Sequence, residues 1–158
     1  MADTRTRDSG ATLLEVLVVL AIIATTVTVV TLALPGGASE RGVTQEAELL
    51  TARLNLATER SLIEGRSFRM EWSADAYEFS ELADGVWQAS TAETLPAVHD
   101  ISRAVVLTDA SGARRGDVVI TPDLMPPSAG VLEFSLSADT TQRAVQFDGL
   151  SARLVESR

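Results

Sequence analysis

GATLLEVLVVLAIIATTVTVVTLALPGG, residues 10–37, decides how the rest of the chain is read. From Val16 to Leu34 it runs for 19 residues without a charge. As a helix that is about 28 Å, close to the hydrocarbon thickness of a bilayer. Thr25, Thr26, Thr28 and Thr31 interrupt the apolar run, but their hydroxyls can return to the helix backbone. Pro35-Gly36-Gly37 then ends or loosens the helix. One residue is out of place: Glu15 puts a carboxylate at the head of the run, where burial in lipid costs about 2.5–3.5 kcal/mol.

Three readings compete for this segment. A cleaved secretory signal would be cut near Gly37-Ala38, but the run is long for such a leader and Glu15 interrupts its start. A plain signal anchor leaves Glu15 unexplained. The third is a resemblance. Gly10-Ala11-Thr12-Leu13-Leu14-Glu15-Val16-Leu17-Val18-Val19-Leu20-Ala21-Ile22-Ile23 resembles the leader junction of type IV pilins and type II secretion pseudopilins. Their pattern is Gly, a cut, usually Phe, then Thr-Leu-Leu-Glu and an apolar run. Ala11 stands where Phe is usual.

That resemblance implies a leader over residues 1–10, removed by prepilin peptidase between Gly10 and Ala11, with N-methylation of the new amine on Ala11. It implies a filament-core and membrane helix over 11–35. It also gives Glu15 a partner, the N-terminal ammonium of a neighbouring subunit. An ion pair at about 4 Å in a low dielectric is worth on the order of several kcal/mol, which offsets desolvation. Arg5 and Arg7 before the run place the N-terminus on the cytoplasmic side and the bulk of the chain across the membrane.

Beyond the break, residues 38–64 read as an amphipathic helix. Val43, Ala47, Leu50, Leu54, Ala57 and Ser61 fall at steps of four and three, forming one stripe. Leu49, Leu56 and Ile63 form a flanking row, with Glu46, Glu48, Arg53, Glu59 and Arg60 over the rest. Ser39 is the expected N-cap and Gly65 the expected left-handed residue past the C-terminus. The stripe is expected to pack on the chain's own sheet.

After Gly65 the period drops to two. Phe68, Met70 and Trp72 alternate with Arg69 and Glu71; Tyr77 and Phe79 alternate with Glu78 and Ser80. With Ser73–Ala76 as the turn, that predicts a hairpin. Asp84-Gly85 marks a further turn. Apolar runs at 104–107, 118–120, 131–136, 144–147 and 152–155 bring the expectation to seven or eight short, mostly antiparallel strands. The fold class is therefore α+β: a long N-terminal helix, half membrane and half amphipathic (36–65), packed on an antiparallel β-sheet head (66–158).

The head is similar to the H-type minor pseudopilin domain, shared with a type IV pilus minor pilin of the FimT kind. The likeness is carried by Leu54 to Arg66, the hairpin with Tyr77 and Phe79, Asp84-Gly85-Val86-Trp87, and more loosely Val119 to Asp123 and Asp148-Gly149-Leu150. Residues 88–116 and 123–130 diverge. The resemblance implies a structural, non-enzymatic subunit of a type II secretion pseudopilus. It would be a single-pass protein of the bacterial inner membrane with its head in the periplasm, joining the tip subunits to the major pseudopilin shaft. Its partners would be other pseudopilins, prepilin peptidase and the inner membrane, with no small-molecule substrate and no cofactor. A FimT-like minor pilin of a type IV pilus, serving DNA uptake or pilus assembly, is the alternative.

Composition narrows the chemistry. The chain of 158 residues has no cysteine, which removes disulfides, thiolate nucleophiles and cysteine metal sites. Its formal charge is −9, and all 13 basic residues are arginines. Phosphate backbones are repelled by such a surface, and Arg114, Arg115, Arg153 and Arg158 are too few to override it; no nucleic acid is expected. The one histidine, His99, is followed by Asp100, the wrong arrangement for a triad; it is expected in a surface loop. Asp117 and Asp123 show no metal-ligand spacing, and no acidic loop resembles the calcium loop of major pseudopilins. Arg115-Gly116-Asp117 spells an adhesion tripeptide, read here as chance.

Overall fold

The computed structural model describes residues 15–23, 37–90, 94–95, 97–123 and 130–155. The chain divides into two compact units, Met1–Pro35 and Gly36–Arg158. In the first, residues 15–23 form a helix, α1. Among the described residues no helix is long and apolar enough to cross a membrane; residues 24–36, which hold most of the remainder of the expected span, lie outside them, as does the break at Pro35-Gly36.

The second unit opens with α2, Gly37–Glu64. All six residues of the stripe (Val43, Ala47, Leu50, Leu54, Ala57 and Ser61) are fully buried. Their mean spacing equals the helical repeat, so the stripe stays in one sector along the whole length. The flanking row behaves differently. Leu49 and Leu56 are half-buried, whereas Ile63 is 75% exposed. A row of sevens drifts about 20° per repeat around a straight helix, and Ile63 has left the buried sector.

The C-terminal stop is as expected. Gly65 has φ +64°, its N–H donates to the Ser61 carbonyl at 3.0 Å, and Ser61 Oγ donates to the Arg66 carbonyl at 2.7 Å. The N-terminal stop is not. The helix starts at Gly37, so Ser39 lies inside it. Its hydroxyl donates instead to Asp139 Oδ2 at 3.0 Å, across 100 residues of sequence: a long-range acceptor takes the hydroxyl that local pattern assigned to a cap.

Among the described residues nine strands follow: β1 (Phe68–Trp72), β2 (Ala76–Ala83), β3 (Val86–Ala89), β4 (His99–Asp100), β5 (Val106–Asp109), β6 (Gly116–Ile120), β7 (Leu132–Ala138), β8 (Thr141–Phe147) and β9 (Ala152–Val155). They form two antiparallel sheets. One has the order β3-β2-β1-β6, with β4 also pairing to β2; the other has the order β5-β7-β8-β9. The predicted hairpin is β1–β2, with Trp72 opposite Tyr77 and Met70 opposite Phe79. Asp84 and Gly85 both have positive φ, 51° and 77°, which is what a two-residue hairpin of matching twist requires. β4, only two residues long, carries too little periodicity to be seen in the sequence.

The helix packs chiefly on β8, with β7 and β9, and touches β1 and β6. Phe68, Met70 and Trp72 from one sheet and Phe134, Leu136 and Phe147 from the other complete the core. Trp72 meets Phe134 edge to face at 5.1 Å, joining the sheets. One further device is invisible to periodicity. Asn55 of α2 binds both backbone groups of Ala152: Nδ2 donates to its carbonyl at 3.0 Å, and Oδ1 accepts its N–H at 2.7 Å. The amide thus acts as a one-residue extra strand at the outer edge of β9, satisfying groups that a free edge would leave open.

Candidate functional site

Of the residues singled out from sequence, Gly10 and Ala11 lie outside the described residues. Glu15 is helical and exposed. Val16 to Leu20, Ile22 and Ile23 follow it, each between 48% and 60% exposed. Successive helical residues are about 100° apart, so this apolar surface covers the full circumference. Glu15 shares its side with Val18, Val19 and Ile22 at spacings of three, four and seven. Among the described residues no cation pairs with it. The chemistry available here is association: over residues 15–23 the helix is apolar all round and carries a single anion.

The second unit contains a polar cluster that the sequence did not reveal. His99 belongs to β4 and is not a surface-loop residue. Its Nε2 lies 2.9 Å from Glu46 Oε2, with side-chain exposures of 20% and 13%, and its ring lies 4.9 Å from that of Tyr77. Glu46 uses its second oxygen to accept the Ser102 N–H at 3.0 Å. Below it, Arg53 Nη1 donates to Tyr77 Oη at 2.6 Å, with the guanidinium 5.4 Å from the ring centre. Burial pushes the Tyr77 phenol up to about 12, against the lowering effect of Arg53. The cluster ties β4 and the chain after it to α2. By position Glu46 falls outside the apolar stripe of α2, and no signal in the sequence pairs it with a histidine 53 residues away.

The remaining candidates are dispersed. Arg114, Arg115 and Arg153 are exposed, and Arg153 Nη2 donates to Gln146 Oε1 at 3.3 Å; Arg158 lies outside the described residues. Asp117 sits on β6, Asp123 in the chain beyond it. Among the described residues no group of three metal-ligating side chains converges. Gly116 has a packing role unrelated to any tripeptide. A Cβ there would lie 2.4 Å from the buried Trp72 ring.

Helix, two-sheet antiparallel head and apolar N-terminal rod together define an α+β protein of type IV pilin-like fold. Residues 5–31 match the family model described as the prokaryotic N-terminal methylation motif. More particularly, the chain is similar to type II secretion system protein H of Aeromonas hydrophila, at 34% identity over 93 residues. That match takes in 58% of this chain and 51% of the relative, so the likeness spans about half of the relative's length. Among solved structures, the minor pseudopilin EpsH of Vibrio cholerae superposes with a TM-score of 0.60 at 15% identity, over 73% of this chain and 97% of that one. The type IV minor pilin FimU of Pseudomonas aeruginosa gives 0.54 at 15% identity, over 72% and 88%. The resemblance to H-type minor pseudopilins drawn from sequence is thus met by motif, by sequence relative and by fold.

Proposed function

We propose that this chain is a structural, non-enzymatic minor pseudopilin of a type II secretion system, of the H type. Prepilin peptidase cuts between Gly10 and Ala11, and the amine of Ala11 is methylated. The mature helix anchors the protein once in the inner membrane, with the acidic head in the periplasm. It then packs in a filament whose growth drives export of folded proteins across the outer membrane. The head joins the tip subunits to the shaft of major pseudopilin. One observation carries this reading: Glu15 stands on a helix that is apolar all round, and among the described residues no cation pairs with it. The apolar surface fits burial against other subunits, and a neighbouring N-terminal ammonium supplies the anion with a partner that offsets its desolvation.

Mass spectrometry of the protein purified from native membranes tests the processing: the chain should begin at methylated Ala11, and an intact Met1 or a start near Ser39 refutes it. Glu15→Ala should leave membrane insertion intact while cutting incorporation into filaments; unchanged incorporation removes the role given to Glu15. The likeness to FimU supports a second reading, a minor pilin of a type IV pilus. Secretion lost on gene deletion, with pili intact, favours the first; the reverse favours the second.

A further inference from the structure

The two sheets treat their edges differently. In the second sheet, Asn55 closes β9 at Ala152. At the opposite edge the N–H groups of β5 that face away from β7 are taken: Leu107 donates to the Ala74 carbonyl at 2.9 Å and Asp109 to the Ala113 carbonyl at 3.0 Å. The first sheet ends on β3 and β6, and the hairpin turns fix which backbone groups of those strands point outward. Asp84 and Gly85 both have positive φ, so the β2–β3 loop has two residues and its closing pair, Ala83 and Val86, exchanges hydrogen bonds. Bonding alternates from there. Gln88 also faces β2, and the Ser90 N–H donates to the Phe79 carbonyl at 3.0 Å in the same phase. Trp87 and Ala89 therefore direct their N–H and C=O groups away from the sheet, and among the described residues nothing bonds to them. The same count, started from the Ser73 N–H bond to the Ala76 carbonyl at 2.7 Å, leaves Asp117 and Val119 outward on β6.

These two open edges are not equivalent. A charged side chain is a usual guard against strand pairing, and β6 carries Asp117 with Arg115 just before it. β3 reads Val-Trp-Gln-Ala, with neither charge nor proline. Its Trp87 ring is held by the Arg69 guanidinium, 4.8 Å from the ring centre, and Ala89 is small and exposed, so another backbone can approach. We propose that β3 is the docking edge for an extended, uncharged segment of a partner protein, which adds a strand to the first sheet by pairing with Trp87 and Ala89. The outward N–H and C=O groups call for extended backbone. The uncharged strand and the Trp87 ring call for neutral β-branched or apolar side chains on it. A second copy of this chain fits less well, because two chains of formal charge −9 repel and the copy's own open edge on β6 brings Asp117. This goes beyond the assembly reading, which rests on residues 10–15, and its failure leaves that reading untouched.

The test is hydrogen exchange of the full-length protein in isolated native cell envelopes, compared with the same protein purified in detergent, read at single amides by fragmentation mass spectrometry. In envelopes the Trp87 and Ala89 amides should exchange at least about tenfold more slowly than in detergent, while the Asp117 and Val119 amides keep their detergent rates. Ala89→Pro removes a donor that makes no bond within the described chain and blocks the edge; it should return Trp87 to the detergent rate. Ala89→Ser keeps the donor and should keep the protection. The Val145 amide inside β8 reports that both variants are folded. Equal rates in envelopes and detergent, equal slowing at Asp117 and Val119, or protection of Trp87 that survives Ala89→Pro in folded protein each overturn the proposal. So does protection already present in the purified protein alone, which would assign the edge to this chain or to a second copy of it.

Discussion

Replacing Asn55 with alanine isolates a contact between α2 and the last strand. The side chain satisfies the N–H and the carbonyl of Ala152 at 2.7 and 3.0 Å, and Ala152 is itself only 6% exposed. Asn55→Ala removes both partners at once. An unsatisfied buried backbone group costs about 1–3 kcal/mol, and the half-buried position of Asn55 lets water recover part of that, leaving a loss of about 2–4 kcal/mol. For a folded unit of this size, 1 kcal/mol moves the Tm by about 4 °C, so the expected fall is about 8–16 °C. Thermal unfolding followed by far-ultraviolet circular dichroism in detergent measures it. Hydrogen exchange localises it: the Ala152 amide should exchange at least about tenfold faster, while Val145 in the interior of β8 is little changed. A Tm within about 2 °C of the parent, or unaltered protection of Ala152, refutes the idea that α2 supplies the missing edge.

Two further outcomes follow from local geometry. Gly116→Ala drives a methyl into the Trp72 ring, with 2.4 Å between the new Cβ and the ring, and should destabilise the head by about 1–3 kcal/mol, as overpacking does; denaturant unfolding of Gly116→Ala and of Trp72→Phe/Gly116→Ala checks this, since a smaller ring should recover part of the loss. Asp109 and Asp148 have carboxyls held below the usual value, Asp109 first by the Ser111 hydroxyl and Asp148 first by the Ser151 N–H. Their contribution to stability is complete above the unfolded-state value near 3.9 and is lost as pH falls through the lower folded values; NMR titration should give both midpoints below 3.9, and a midpoint at or above it contradicts the loop geometry.

The sequence by itself determined what repeats at short range. The stripe of α2 keeps the 3.6-residue period, so burial from Val43 to Ser61 was legible residue by residue. Gly65 and Asp84-Gly85 name their own backbone conformations, because a positive φ is cheap for so few residues. The Gly10–Glu15 junction and its apolar run are equally local. Tertiary structure alone decided that the head splits into two sheets, that Asn55 clasps Ala152 at a separation of 97 residues, that Ser39 serves Asp139 rather than its own helix, and that Glu46 holds His99. It also brought Glu71, Glu78 and Asp117 into one row through the registers of β1, β2 and β6. The physical reason is common to all of these. Periodicity tells each side chain which way to face, but a hydrogen bond or ion pair depends on which distant side chain faces it, and that is set only when the strands choose partners and register.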